Sequence, residues 1–150
     1  MDRGLYIHCP LCKRKCHYCD FPSYAGCEEL MEPYLEALLG EMETYKSNNE
    51  KYRISTIYLG GGTPTLYYGE QLVRLLDRCK QIFHVDGNAE ITVECNPESI
   101  DRYKLKLLRD SGYNRLSIGL QAWQKEHLNL LGRPHTKKHF LDAVKWAREA

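Results

Sequence analysis

Cys12, Cys16 and Cys19 stand at the spacing C-x3-C-x2-C, a concentration of soft ligands that little else in a chain of 150 residues can match. Thiolates this close in one loop can converge on one inorganic cluster. Iron–sulfur cubanes are held by cysteine thiolates, normally four. Three ligands leave one iron open, which is what a catalytic metal site requires. Two other readings compete. Cys9 with these three could form an all-cysteine zinc site, although zinc modules separate their cysteine pairs by a dozen or more residues. Cys9 could also be a fourth cluster ligand in a plain electron-transfer centre. Cys27, Cys79 and Cys95 read as small buried hydrophobes. The odd total of seven cysteines argues for reduced thiols, and so for a cytoplasmic protein, rather than for a secreted disulfide scaffold.

Composition narrows the class further. Apolar residues make up 43% of the chain, enough for a buried core, and the formal net charge of +1 argues against a nucleic-acid footprint. No apolar run is long enough to span a bilayer. The stretch between Arg3 and Lys13-Arg14-Lys15 is too short for a signal-peptide core. That basic triplet fits either a docking patch for an acidic electron donor or a ligand carboxylate, or a solvated loop face.

The elements that must position the cysteines alternate strand and helix. Leu5–His8, Thr56–Leu59, Glu90–Asn96 and Arg115–Gln121 read as strands. Helices are expected from about Glu32 (apolar face Tyr34, Leu35, Leu38, Met42, Tyr45), along the stripe Leu72, Leu75, Leu76, Cys79, Ile82, Phe83, between an N-cap at Ser99 and a left-handed stop at Gly112, and from about Lys137. Pro33 falls in a first helical turn, where its missing N–H costs nothing. Residues 21–28 and 47–55 read as loops. Four successive βα units predict an α/β fold, a partial (β/α) barrel with parallel strands and right-handed crossovers.

The strands show a further pattern. Parallel strands covered on both faces are usually continuous apolar runs. Here Leu5 and Ile7 alternate with Tyr6 and His8. Ile91, Val93 and Cys95 alternate with Thr92, Glu94 and Asn96. Leu116, Ile118 and Leu120 alternate with Ser117, Gly119 and Gln121. Either one face of each strand meets helices and the other faces a wet or liganded interior, which the recurrence on three strands favours, or some of these strands lie at a sheet edge. Glu94 and Gln121 lie near the C-terminal ends, where α/β barrels gather their functional residues. Gly60-Gly61-Gly62-Thr63-Pro64-Thr65 follows the second strand. Its glycines allow close approach of backbone to a ligand, but the run fits neither the Walker nor the dinucleotide fingerprint.

With Tyr18 before the third cysteine and Phe21 after it, the cysteine loop resembles that of the radical S-adenosylmethionine (SAM) superfamily. Within that superfamily the chain is most similar to the family of HemW-type heme chaperones and oxygen-independent coproporphyrinogen III oxidases (dehydrogenases). The carrying segments are Tyr6-Ile7-His8, residues 12–21 and 60–65, Glu94-Cys95-Asn96-Pro97, residues 114–121 and Leu131-Gly132-Arg133-Pro134-His135-Thr136. Asp20-Phe21 after the third cysteine is HemW-like, since the oxidases resemble C-x3-C-x2-C-x-C. Cys9 departs from the pattern, which commonly has an aliphatic residue there.

The resemblance implies a [4Fe-4S] cluster on Cys12, Cys16 and Cys19. It implies SAM contacts from Tyr6, Tyr18, Gly61, Gly62, Thr63, Glu94, Gln121 and Arg133. It further implies heme or a porphyrin as ligand of the full-length protein, a small donor such as flavodoxin or ferredoxin, and heme-acceptor proteins. In the oxidases an electron passed to the SAM sulfonium yields a 5′-deoxyadenosyl radical that attacks porphyrinogen propionates. In HemW-like proteins the apparatus accompanies heme binding and delivery. The chain stops inside a helix at Trp146-Ala147-Arg148-Glu149-Ala150. Residues 1–150 are therefore expected to be the N-terminal part of a longer radical SAM domain.

Overall fold

The computed structural model describes residues 2–47 and 53–150. In chain order its elements are β1 (Asp2–Cys9), β2 (Leu11–Cys12), β3 (Tyr24–Ala25), α1 (Met31–Glu43), β4 (Arg53–Gly61), α2 (Gly69–Ile82), β5 (His84–Cys95), α3 (Arg102–Ser111), β6 (Arg115–Ile118), α4 (Lys125–Leu130) and α5 (Lys137–Glu149). β1, β4, β5 and β6 form one sheet in that order, every pair parallel. Helices separate successive strands, which makes the molecule an α/β partial barrel as expected.

The period-two pattern decides which face the helices take. Ile7 and Cys9 of β1, Ile57 and Leu59 of β4, and Ile91 and Val93 of β5 are buried in one core with Leu35 and Met42 of α1. The stripe of α2 completes it: Leu72, Leu75, Leu76, Cys79 and Ile82 are all buried. Each large aliphatic side chain taken from water contributes about 1.5–3 kcal/mol, so Leu76→Ala should cost roughly 2–5 kcal/mol. A second apolar cluster joins Cys95 and Leu105 to Ala143 of α5. Cys27 packs partly buried against the first cluster. The opposite face of the sheet carries Tyr6, His8, Tyr58 and Glu94.

Several boundaries differ from the sequence reading. Tyr45 lies past the end of α1 and is exposed. The N-cap of α3 is Asp101, whose carboxylate accepts from the Lys104 N–H at 2.7 Å. Ser99 instead closes the turn Pro97–Ser99, donating to the Asn96 carbonyl at 2.8 Å. Gly112 ends α3 in the left-handed region, as expected. β6 stops at Ile118, so Leu120 and Gln121 are not strand residues, and Gln121 sits at φ 67. The polar stretch after it holds an unexpected short helix, α4, and the loop 21–28 holds β3. Of the expected loop 47–55, residues 48–52 lie outside the described residues and Arg53 already begins β4. Among the described residues no helix is long and apolar enough to cross a membrane.

Candidate functional site

β1 delivers the chain to the cysteine loop with Cys9 on its apolar face. Burial pushes the Cys9 thiol up to about 12, so it is a protonated core group that packs beside Leu35 and Leu72. After Pro10, Leu11 and Cys12 pair with Tyr24 and Ala25, which closes the base of the loop. Inside it, the Cys19 N–H donates to the Cys16 carbonyl at 3.1 Å, folding the last two cysteines into one turn. The Lys15 ammonium donates to the Phe21 carbonyl and to Ser23 Oγ at 3.0 Å, bracing the loop from within, while Lys13 and Arg14 are exposed. Of the basic triplet, Lys15 therefore has a structural task.

The glycine turn after β4 is locked to this loop. Gly62 N–H donates to the Cys9 carbonyl at 2.8 Å and Thr63 N–H to the Leu11 carbonyl at 2.9 Å. Gly61 takes φ 113, and a Cβ there would stand 2.5 Å from the His8 ring. That conformation turns its N–H onto Glu94 Oε2 at 3.1 Å. Tyr58 Oη donates to the other oxygen, Oε1, at 2.6 Å. Burial, then Glu94, raises the Tyr58 pKa. Tyr6 stacks on Tyr58 with ring centroids 6.2 Å apart. Its hydroxyl meets His8 Nδ1 at 2.9 Å, and His8 Nε2 meets the Pro22 carbonyl at 2.9 Å. A carbonyl only accepts, so Nε2 carries a proton, and in the neutral ring Nδ1 accepts from Tyr6.

Arg133 enters from the far end of the chain. It is buried, 7% exposed, with Nη1 donating to Cys16 Sγ at 3.5 Å and Nη2 to Asn96 Oδ1 at 2.6 Å and the Gly119 carbonyl at 3.0 Å. Its Nε is buried without a partner. These partners are a thiol, an amide and a carbonyl, none of them a carboxylate. A buried guanidinium so placed favours anionic company. Asn96 Nδ2 donates to Thr63 Oγ1 at 3.0 Å, and Thr63 Oγ1 lies 3.5 Å from Cys12 Sγ.

Cys12, Cys16, Cys19, Tyr18, Gly61, Gly62, Thr63, Glu94, Gln121 and Arg133 all line one cavity of about 200 Å³ at the C-terminal ends of β4 and β5. Tyr6 is not among its lining residues: its ring, 54% exposed, stacks on Tyr58, which in turn holds Glu94. Burial, more than the opposing Arg133 charge, raises the Tyr18 pKa. The sequence assigns no individual role to Asn96, Tyr58, His8 or His17, beyond placing His8 and Asn96 on the polar faces of their strands. Asn96 was within reach, since period two places it on the face of Glu94.

Among the described residues no three His, Cys, Asp or Glu side chains are close enough together to hold a single metal ion. Each thiol of a cubane binds a different iron, so the cysteines need not meet at one point. Three thiols on one cavity wall, a buried guanidinium with an unpartnered Nε and a carboxylate opposite are a donor set that fits an anionic cluster and a zwitterionic ligand. The Cys9 thiol, on the core side, belongs to neither.

Comparison with known proteins agrees with this geometry. Residues 6–150 match the model of the radical SAM superfamily. The chain is 37% identical over 148 residues to the heme chaperone HemW of Bacillus subtilis, covering 98% of this chain and 39% of that protein. It is 34% identical over 149 residues to the mitochondrial radical S-adenosyl methionine domain-containing protein 1 of Danio rerio, covering 99% of this chain and 34% of that one. The solved structure of coproporphyrinogen III oxidase (HemN) from Escherichia coli, a radical SAM enzyme, superposes with TM-score 0.91 at 31% identity, over 97% of this chain and 34% of its own. The chain thus spans between a third and two fifths of the length of these relatives. By its fold, its three-cysteine cavity and the match over nearly its whole length, the chain belongs to the radical SAM superfamily.

Proposed function

We propose that this chain is the cluster- and SAM-binding part of a heme-handling protein of the HemW type. The observation that carries the reading is the convergence of Cys12, Cys16, Cys19, Glu94 and Arg133 on one cavity. In this reading the three cysteines hold a [4Fe-4S] cluster with one iron open. When bound, the cluster supplies an electron to the SAM sulfonium. Glu94, fixed by Tyr58 and Gly61, receives the ligand's ammonium. Arg133 meets the carboxylate with its unpartnered Nε. Gly61, Gly62 and Thr63 present backbone close to the ligand, and Gln121 and Tyr18 bound the cavity. Tyr6 supports the site through Tyr58 and His8 rather than by contact.

Two relatives support different activities for the whole protein: HemW, named a heme chaperone, and HemN, a coproporphyrinogen III oxidase. Asp20-Phe21 in place of a further cysteine favours the first. Anaerobic reconstitution tests the cluster. A brown, air-sensitive chromophore retained in Cys9→Ala and lost in Cys16→Ala is expected, and a colourless zinc protein would refute it. A chain of the relatives' full length then decides between the activities. Stoichiometric heme uptake and transfer without porphyrinogen turnover is expected, and substrate-dependent release of 5′-deoxyadenosine would favour the oxidase.

A further inference from the structure

Cys12 and Cys16 are joined by an unbroken chain of hydrogen-bonding groups, Cys12–Thr63–Asn96–Arg133–Cys16. With Cys12 and Cys16 as cluster thiolates, the direction of every bond in it follows from chemistry. A guanidinium has donors only, so the group of Asn96 facing Arg133 Nη2 at 2.6 Å must be its oxygen. The Asn96 NH₂ then faces Thr63, and donates to Thr63 Oγ1 at 3.0 Å. To the thiolate of a cluster-bound Cys12, which only accepts, the Thr63 hydroxyl donates across 3.5 Å, its proton having no acceptor on Asn96. At the other end Arg133 Nη1 donates to Cys16 Sγ at 3.5 Å. Both termini of the chain are sulfurs, and both are at its accepting ends. Lys104 braces the same region, with its ammonium donating to the carbonyls of Thr65, Tyr67 and Ser99 on either side of the Asn96 turn.

Resting on the cluster reading above, we propose that Asn96 is a positioning residue that sets the direction of this network, so that Thr63 and Arg133 both donate to cluster sulfurs. Asn96 touches neither cluster nor SAM in this role. It acts by holding the Thr63 proton on Cys12 and the Arg133 fork on Cys16. Donors to thiolate sulfurs stabilise the added negative charge of a reduced cluster and so raise its potential. An apolar group of the same size removes both orientations without adding charge.

The test is a double-mutant cycle on the anaerobically reconstituted chain, read as the midpoint potential of the cluster at full iron content. Asn96→Leu and Thr63→Val are each expected to shift the potential in the negative direction. The double variant is expected to shift less than the sum, because Asn96 acts partly through Thr63. A wild-type potential in Asn96→Leu at full iron content would overturn the proposal, and so would fully additive shifts. If Asn96→Leu does not fold, proton hyperfine spectra of the unmutated chain in H₂O and D₂O decide. An exchangeable proton coupled to the cluster and lost in Thr63→Val upholds the proposal, and its absence overturns it. An unmutated chain that takes up no iron refutes the cluster reading, a result distinct from a loaded cluster that is insensitive to Asn96.

Discussion

His17 reaches across 113 residues of sequence to donate from Nδ1 to the Leu130 carbonyl at 2.8 Å. Its own N–H donates to Leu131 at 3.1 Å. The turn that carries Cys16 and Cys19 is thereby tied to the segment that delivers Arg133. A solvent-exposed bond of this kind is worth about 0.5–1.5 kcal/mol, so His17→Ala should lower stability by only about 1 kcal/mol. Its larger effect should be on the cluster, which loses one wall of its loop. Iron loss to a chelator should be several times faster in His17→Ala, while His17→Asn, whose amide nitrogen stands where Nδ1 does, should restore most of the retention. Equal rates in all three would show that the tie does not hold the cysteine loop.

Gly62 fixes the opposite wall. A Cβ at this position would stand 2.7 Å from the Leu11 carbonyl oxygen and 2.9 Å from that of Cys9, both backbone atoms that cannot swing aside. Gly62→Ala must therefore push β2, and Cys12 with it, away from the glycine turn. Overpacking of this kind costs about 1–3 kcal/mol. We expect reduced stability in chemical denaturation together with impaired iron uptake. Gly40, inside α1 with nothing within 4 Å of its missing Cβ, is the matched control. Gly40→Ala should stabilise by about 0.5–1 kcal/mol, with iron uptake intact.

The parts of this architecture visible in sequence were those written in local patterns. Period two on β1 and β5 separated the core face (Ile7, Ile91, Val93) from the cavity face (Glu94), and the stripe from Leu72 to Ile82 placed α2. Gly112 was legible because a left-handed helix stop selects glycine. Where two local signals competed, the sequence was ambiguous. Ser99 and Asp101 are both good caps, and the turn begun by Pro97 gave Ser99 to Asn96. Leu120 and Gln121 continue the alternation of β6, yet the strand ends at Ile118: the Gly119 N–H makes the last rung to the Cys95 carbonyl, after which the Gly119 and Leu120 carbonyls go to the Arg133 and His135 side chains and Gln121 turns the chain at φ 67. The roles of His17 and Lys15 depend on carbonyls that only the folded chain brings near, and no periodicity encodes them.

Burial makes three thiols sensitive to alkali. Cys9, Cys79 and Cys95 are each pushed from the ordinary 9.0 up to about 12. In the unfolded chain they ionise above pH 9, while in the folded chain they keep their protons until near 12. The unfolded state therefore binds fewer protons in that window. Stability is full below pH 9 and falls as pH rises, by about 1.4 kcal/mol per pH unit for each thiol. Cys79 lies in the core far from the cavity, so Cys79→Ala isolates one of these contributions. Its stability should fall less steeply between pH 9 and 10 than that of the unmutated chain, whatever the cost of the smaller side chain at neutral pH. Parallel slopes would mean that the Cys79 thiol is ionised in the folded state.

Glu94 offers a clean separation of fold from ligand binding. Its carboxylate accepts from Tyr58 Oη and from the Gly61 N–H, at 2.6 and 3.1 Å. In Glu94→Gln the amide oxygen can keep the Gly61 bond, since a backbone N–H can only donate, and the amide NH₂ can face Tyr58, whose hydroxyl can accept instead. Both bonds survive in altered form, so stability should change by less than about 1 kcal/mol. What disappears is the negative charge on the cavity wall. A ligand ammonium that met a carboxylate loses a charge-assisted bond of about 1.5–3 kcal/mol, which corresponds to a drop in SAM affinity of about ten- to a hundredfold. Calorimetric titration of SAM into the reconstituted protein, at matched iron content, measures it. If the affinity were unchanged, Glu94 would be a strut between β4 and β5, and the ammonium would have to be received by the carbonyls of the glycine turn alone.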